Sequence, residues 1–318
     1  MRSRASNLVK ADNLVKATVA VTSAALIAAC AGCEARVYGS TGQHLSDAPQ
    51  MSVVAPQAPA DVAPAPVVAP PASFTGLQAR ADQAVAAAAD EGADVAVMVL
   101  DRETRQQVSA GRTTGWATAS VVKLFIADDL LLRQPDLSPD DRQLLDLMLR
   151  SSDDSAAETF WNRGGGSAIV NRVTARYGLT ETSPPNNGRW FNTITSAADL
   201  IKYYDMMLAG TGGLPRERAG IIMADLAAST PTAPDGTQPG GIYPQRFGIP
   251  EGLPAERVAV KQGWMCCIGG DWMHLSTGVL GVDRRYLMVI YALQPVGATA
   301  ARETITEAVR SIFPAGRV

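Results

Sequence analysis

The chain has 318 residues, 47% of them hydrophobic, and a formal net charge of −3. This length allows one or two domains that bury a sizeable core, and the slightly acidic balance argues against a nucleic-acid partner. The four cysteines and two histidines form no cluster with the spacing of metal ligands. We therefore predict neither a zinc site nor another metal or cofactor.

The first 29 residues are organised like a bacterial signal peptide. Basic residues precede an apolar segment, residues 17–29, that is too short for a comfortable transmembrane helix. The sequence Leu-Ile-Ala-Ala-Cys at positions 26–30 resembles the bacterial lipobox, in which the cysteine is lipidated. The resemblance implies a lipid anchor on Cys30 at the extracytoplasmic face of the cell membrane. Secretion with an unlipidated Cys30 is the alternative, and Cys33 is a weaker second position.

Residues 30–73 are rich in proline, alanine and valine and show no periodicity. Such a segment is an extended tether with polyproline character, and about 40 residues of it would reach on the order of 100 Å. We expect it to hold a folded domain, residues 74–318, away from a membrane.

Apolar periodicity and capping residues predict the elements of that domain. We predict helices over residues 78–90, 117–132, 143–150 (entered through a cap at Ser138), 155–162, 167–177, 195–208 and 298–313. We predict strands over residues 94–101, 106–110, 257–267, 272–280 and 285–293. This order indicates an α+β fold, in which residues 74–116 and about 240–318 form one antiparallel sheet and residues 117–239 form a mainly helical insertion.

The helix predicted over residues 117–132 carries a serine and a lysine one turn apart. Ser120 lies near its start, and Lys123 follows on the same face. An ammonium on so apolar a helix is partly desolvated, which lowers its pKa and favours a neutral amine that can act as a base. The alternative for this pair alone is a serine N-cap followed by a lysine that reaches solvent.

Two further polar clusters follow in the order that a known family uses. Ser152-Asp153-Asp154 lies between two predicted helices, and Lys261-Gln262-Gly263 lies on a late strand. With Ser120-Val121-Val122-Lys123, they resemble the S-x-x-K, S-D-N and K-T-G motifs of serine β-lactamases and penicillin-binding D-alanyl peptidases. The resemblance covers residues 74–318. The sequence is likewise similar to alanine-rich lipoproteins of mycobacteria that carry this domain.

The resemblance implies a role for each motif residue. Ser120 would be the nucleophile, Lys123 its base, Ser152 a proton relay, and Lys261 an anchor for a substrate carboxylate. The backbone N–H groups of Ser120 and Trp264 would form the oxyanion hole. Substrate-binding positions would include Asp154, Gln262 and Gly263.

Two motif residues depart from the family pattern. Asp154 replaces the asparagine, so a charge replaces a donor, and Gln262 replaces a hydroxyl residue. No Glu-x-x-x-Asn deacylation motif lies between residues 166 and 192, where Glu181 is expected to be a surface residue. We therefore expect slow or absent β-lactam turnover.

Two other functions compete with this prediction. A Ser-His-Asp hydrolase would have to use His274, the one histidine of residues 74–318, although no serine lies in a G-x-S-x-G elbow. A binding or scaffold module would use three tryptophans as a groove, for which core packing is the alternative. These tryptophans are Trp190, Trp264 and Trp272.

The adjacent Cys266 and Cys267 allow two interpretations. They could close a strained vicinal ring, or remain buried thiols that strand alternation directs to opposite faces. We predict buried thiols.

The function predicted overall is that of a lipid-anchored envelope protein that forms an acyl-enzyme on Ser120. The expected partners are a peptidoglycan stem peptide or a β-lactam, and the membrane through Cys30.

Overall fold

A computed structural model describes residues 74–236, 238 and 240–318. The predicted signal peptide, the Cys30 lipidation site and the tether lie outside the described residues. The helices of the described part are α1 (Leu77–Asp90), α2 (Lys123–Arg133), α3 (Pro139–Arg150), α4 (Asp154–Gly164), α5 (Ala168–Tyr177), α6 (Ala197–Ala209), α7 (Arg216–Ala227), α8 (Ile249–Gly252) and α9 (Ala298–Ile312). The strands are β1 (Asp94–Asp101), β2 (Gln107–Ala110), β3 (Thr114–Ala117), β4 (Ile194–Ser196), β5 (Thr232–Pro234), β6 (Ile242–Pro244), β7 (Val258–Ile268), β8 (Asp271–Leu280) and β9 (Tyr286–Gln294).

Early and late segments of the described chain form one antiparallel sheet. Its strand order is β2-β1-β9-β8-β7. Strand β1 pairs with β9 along its whole length, from Asp94 opposite Leu293 to Asp101 opposite Tyr286. Strand β7 lies at an edge, where one row of its backbone groups has no partner within the sheet. The α+β fold predicted from the order of elements is confirmed.

Helices cover both faces of this sheet. Successive side chains of a strand point to opposite faces, and β1 serves two cores in this way. Val97 and Val99 pack in the core that includes α1 and α9, whereas Met98 and Leu100 pack in the core of the helical insertion. A strand covered on both faces is apolar at nearly every position, as β1 is.

Helix α2 is fixed within the helical insertion by a buried acid. Asp128 accepts hydrogen bonds from the Arg176 guanidinium and from the Tyr177 hydroxyl, both on α5. Burial raises the pKa of Asp128, and the nearby guanidinium opposes that rise. On another side, Phe125 packs edge-on against Tyr203 of α6, with ring centroids 5.0 Å apart. These contacts orient the helix whose first residue is Lys123.

The segment between α6 and β7 contains structure that was not predicted. It forms α7, the β5–β6 hairpin and the short α8. Helix α7 follows Pro215 and contains Gly220, both weak helix signals, but it buries Ile222 and Leu226 completely. Tertiary packing therefore outweighs the local preference here. The predicted helices and strands are all present, with ends that differ by a few residues.

No helix in the described part of the chain combines the length and the apolar composition that crossing a bilayer requires.

His274 of β8 lies in the core and is 0% exposed. Its Nε2 is 2.6 Å from the Tyr243 hydroxyl, and its ring packs against Phe247 at a centroid distance of 4.9 Å. Burial lowers the pKa of His274 to about 3, and the positive charge of Arg302 acts in the same direction. The folded protein therefore holds a neutral imidazole.

This burial predicts a pH dependence of stability. Between the ordinary pKa of about 6.5 and about 3, the unfolded chain binds a proton at His274 that the folded chain does not. The free energy of unfolding should therefore fall as the pH falls through this window, by at most about 1.4 kcal/mol per pH unit from this residue. Urea unfolding of the wild type and of His274→Gln, which cannot ionise, measures the difference. Equal slopes against pH in the two proteins would contradict the assignment.

Candidate active site

Ser120 lies in a short turn that leads into α2. The 3₁₀ helix Ala119–Val122 precedes Lys123, the first residue of α2. The sequence predicted one continuous helix over this stretch, whereas the structure begins it with the tighter turn. Ser120 is 7% exposed, and it lines a surface cleft. The hydroxyl is therefore largely enclosed but reachable from one side.

The side chains of the three predicted motifs meet in one hydrogen-bonded chain. Lys123 Nζ lies 2.9 Å from Ser120 Oγ and 3.3 Å from Ser152 Oγ. The same nitrogen donates to the Ser152 carbonyl at 2.6 Å and pairs with Asp154 Oδ1 at 2.6 Å. Lys261 Nζ lies 2.8 Å from Ser152 Oγ. The Lys123 amine is thus within hydrogen-bond distance of both the Ser120 and the Ser152 hydroxyl.

Burial dominates the electrostatics of the two lysines. Lys123 is 0% exposed and Lys261 is 1% exposed. Burial lowers the pKa of the Lys123 amine, while the carboxylate of Asp154 opposes that change. Burial also lowers the pKa of Lys261, and the charge of Lys123 adds to this effect. The desolvation predicted from the sequence is therefore the main cause of the lowered pKa at Lys123.

Two residues of the site have a left-handed backbone. Ala119, directly before Ser120, has φ 42°, and Ser152 has φ 56°. Residues with a Cβ adopt this region at a cost and persist there only when the surrounding structure holds them. Here the Lys123 amine holds Ser152 through both its carbonyl and its hydroxyl. The two strained backbone positions, Ala119 and Ser152, thus lie where the motifs meet.

Gly263 allows β7 to pass directly against the Ser120 turn. A Cβ at this position would lie 2.6 Å from the Thr118 carbonyl oxygen and 3.2 Å from the Ser120 nitrogen. Only a residue without a side chain permits this approach. The next residue, Trp264, lines the cleft together with Ser120. Ser120 and Trp264 therefore line the same cleft, and their backbone N–H groups are the two that were predicted to form an oxyanion hole.

The cleft has a volume of about 380 Å³. Its walls come from the Ser120 turn, the start of α4, the segment around Trp190, and the end of β7. The lining residues are Ala119, Ser120, Asp154, Trp190, Phe191, Asn192, Gly236, Trp264, Met265, Cys266 and Cys267. Phe191, Asn192 and Gly236 were not predicted as site residues. No motif marks them, because only the folded chain brings them to the cleft.

The two departures from the family motifs have different consequences. Asp154 faces the cleft with 48% of its side chain exposed, and it pairs with Lys123. Gln262 was predicted to bind substrate, but it is 2% exposed and does not line the cleft. Its amide nitrogen donates to the Phe247 carbonyl at 2.6 Å. The prediction for Gln262 is wrong because its side chain is directed away from the cleft and into the core.

The cysteine prediction is also wrong. Cys266 and Cys267 are exposed and joined by a disulfide, rather than buried as free thiols. The pairing of β7 with β8 shifts register between Met265 and Ile268. The regular alternation on which the prediction depended is lost there, and both residues face the cleft.

The histidine alternative receives no support from the site. Among the described residues, the His274 ring contacts the Tyr243 hydroxyl rather than a serine. The tryptophans divide between the two predicted roles. Trp190 and Trp264 line the cleft although they are only 5% and 9% exposed, and Trp272 packs near His274 at a centroid distance of 6.0 Å.

Two glutamates, Glu181 and Glu158, differ in their position relative to the cleft. Glu181, predicted to be a surface residue, is exposed and does not line the cleft. Glu158 was not singled out from the sequence. It accepts a hydrogen bond from Trp190 Nε1 at 3.1 Å and lines a shallow groove that adjoins the cleft. Asp154 is the one carboxylate among the described residues that line the cleft itself.

No protein-family model matches the chain. Solved structures with a similar fold include PBP-A as an acyl-enzyme complex with penicillin G, at a TM-score of 0.60 and 18% identity, covering 76% of this chain and 96% of that chain. A β-lactamase from Chitinophaga pinensis has a TM-score of 0.60 and 14% identity, covering 76% of this chain and 100% of that chain. A variant of the last common ancestor of Gram-negative class A β-lactamases has a TM-score of 0.59 and 19% identity, covering 74% of this chain and 98% of that chain. The chain therefore has the fold of the serine β-lactamases and penicillin-binding proteins, as the motifs predicted.

The chain is also similar along its length to curated proteins. It is 55% identical over 324 aligned positions to the proteins named "Putative lipoprotein LppW" of Mycobacterium tuberculosis and Mycobacterium bovis, with 96% of this chain and 98% of each relative covered. The chain belongs to this LppW family.

The exposed disulfide predicts a labelling pattern. Without reductant, iodoacetamide should leave Cys266 and Cys267 unmodified, because neither sulfur is a free thiol. After reduction, both should be alkylated. Mass spectrometry of the tryptic peptide of residues 262–284 separates these cysteines from Cys30 and Cys33. Two labels without reductant would contradict the disulfide.

Proposed function

We propose that the protein is a serine hydrolase or acyltransferase of the cell envelope that forms an acyl-enzyme on Ser120. The observation that carries the proposal is the buried Lys123 amine 2.9 Å from Ser120 Oγ. A buried amine next to a hydroxyl is the arrangement that general-base activation of a serine needs. An N-cap serine with a lysine directed to solvent would leave that amine exposed.

The proposed acylation uses the hydrogen-bonded chain in order. Neutral Lys123 accepts the Ser120 proton while Ser120 Oγ forms a bond to the substrate carbonyl carbon. The negative charge that develops on the carbonyl oxygen is stabilised by the backbone N–H groups of Ser120 and Trp264. The bond to the leaving nitrogen or oxygen then breaks, and that atom receives a proton from Lys123 through Ser152 Oγ. The products are an ester on Ser120 and a protonated leaving group.

Release of the acyl group is proposed to be slow. Hydrolysis requires a base that activates water beside the ester. Among the described residues, Asp154 is the one carboxylate that lines the cleft, and its Oδ1 lies 2.6 Å from Lys123 Nζ. Glu181 lies elsewhere on the surface. A long-lived acyl-enzyme, or transfer of the acyl group to an amine, fits this site better than rapid β-lactam turnover.

The proposed location is the extracytoplasmic face of the cell membrane, with Cys30 carrying the lipid. The name of the LppW relatives as lipoproteins supports the anchor, and the lipobox-like sequence before Cys30 gives it a position. A peptidoglycan stem peptide is the proposed natural acyl donor, and β-lactams are its proposed mimics. The likeness in fold to PBP-A, whose structure holds penicillin G as an acyl-enzyme, supports this choice of class.

The proposal predicts a covalent adduct on one serine. The full-length protein, incubated with an uncharged alkyl fluorophosphonate, should gain the mass of one phosphonyl group, and peptide mapping should place it on Ser120. Ser120→Ala should gain none. Lys123→Met should react at least roughly 100-fold more slowly, since general-base catalysis contributes about 10²–10⁴-fold. Intact-mass spectrometry measures all three.

A serine outside the site provides the matched control. Ser109 is exposed on β2, and Ser109→Ala should be labelled like the wild type. An unlabelled wild-type protein would overturn the proposal and leave the binding module as the remaining hypothesis. Equal labelling of the wild type and Ser120→Ala would do the same.

A further inference from the structure

The charges that a substrate meets in the cleft are negative. Asp154 is the one charged side chain among the described residues that line it. The adjoining groove shares Asp154, Trp190 and Phe191 with the cleft and adds Glu158. No lysine or arginine lines either cavity in the described part of the chain. The described lining of the two cavities therefore presents two carboxylates and no cation.

The amines of Lys123 and Lys261 are buried rather than exposed at this surface. The Lys123–Asp154 pair buries its amine completely and leaves 48% of the carboxylate side chain exposed. Lys261 is 1% exposed, and its amine contacts Ser152 Oγ at 2.8 Å and the Gln262 carbonyl at 3.0 Å. Gln262 itself is directed to Phe247. The positions that the sequence suggested for a substrate carboxylate therefore offer no accessible donor.

Two aromatic rings line both the cleft and the adjoining groove. Trp190 and Phe191 lie in both cavities and pack edge to face, with ring centroids 5.1 Å apart. The Trp190 ring already has a nitrogen, Lys123 Nζ, 4.8 Å from its centroid. The faces of such rings attract cations and disfavour anions.

We infer that this cleft selects acyl donors without a free carboxylate near the scissile bond and prefers donors that carry an ammonium group there. The inference rests on the proposed acyl transfer at Ser120. Asp154 is the residue that determines the preference, through its exposed charge. In a stem peptide, the matching chemistry is an acyl donor whose carboxylates are amidated and whose diamino acid retains its free amine.

Penicillin G and two of its esters test this selectivity. Penicillin G, its methyl ester and its 2-(diethylamino)ethyl ester carry charges of about −1, 0 and +1 on the same reactive ring. With the full-length wild type, the acylation rate constant measured by intact mass should rise in that order, by roughly tenfold per charge, the scale of a one-charge difference a few ångströms away in a partly exposed site. The differences should shrink as salt is added.

Asp154→Asn is the decisive variant, because it removes the charge and keeps the shape. Its rates with the three compounds should lie within about threefold of one another. The ratio of rates is the readout, since the variant also alters the environment of Lys123 and changes all rates together. Asp140→Asn is the matched control. Asp140 is an exposed acid in the first turn of α3 that lines neither cavity, and its variant should keep the wild-type order.

If Asp154→Asn does not fold, Glu158→Gln provides a second test of the inference. It removes the second carboxylate without contacting Lys123, and it should reduce the preference for the cationic ester by a smaller factor. Equal rates, or the fastest rate with free penicillin G, in a wild type that still reacts with the uncharged phosphonate would overturn the inference and leave the proposed function intact. An unchanged order in Asp154→Asn would also overturn it. Failure of the phosphonate reaction itself would instead count against the proposed function.

Discussion

The site depends on one buried amine. Lys123 Nζ has no solvent exposure, and it contacts Ser120 Oγ, the Ser152 backbone and side chain, and Asp154. Placing an amine in such surroundings costs free energy unless hydrogen bonds compensate or the amine is neutral. The hydrogen bonds of Asp128 to α5 fix helix α2, and this fixes the position of the Lys123 amine. The same burial that makes the lysine costly to fold favours the neutral amine that the proposed base requires.

The edge of the sheet completes this arrangement. Strand β7 brings Lys261 to Ser152 from the sheet side, and Gly263 lets the strand approach the Ser120 turn closely. Because β1 and β9 join the early and late parts of the chain, the site requires both chain ends of the described domain to be folded. The cleft is therefore a product of the whole domain rather than of the helical insertion alone.

Much of the fold could be predicted from the sequence, and so could the meeting of Ser120, Lys123, Ser152 and Lys261. Strands such as β1 carry continuous apolar runs, and the spacing of Ser120 and Lys123 places them on one side of a helical turn. The rest depended on tertiary packing. Gln262 alternates toward Phe247, a shift of register exposes the two cysteines, and Ile222 and Leu226 stabilise α7 only through burial. Residues such as Phe191 and Glu158 carry no local signal of their place in or beside the cleft.

Exposure of Asp154 links reactivity to selectivity. Its carboxylate opposes the lowering of the Lys123 pKa from within the site and presents a charge to the substrate from the same atoms. An asparagine in this position would give neither effect. The substitution thus changes the chemistry of the cleft while the hydrogen-bonded chain behind it stays intact.

The most direct test of this account is an NMR titration of the lysine side-chain amines in the full-length protein labelled with ¹⁵N-lysine. The chain contains only five lysines, and the Lys123 signal is identified by its loss in Lys123→Met. Burial predicts that the Lys123 amine loses its proton below the ordinary lysine pKa of about 10.4. Titration of Lys123 at or above that ordinary value would contradict the proposal that a buried base activates Ser120.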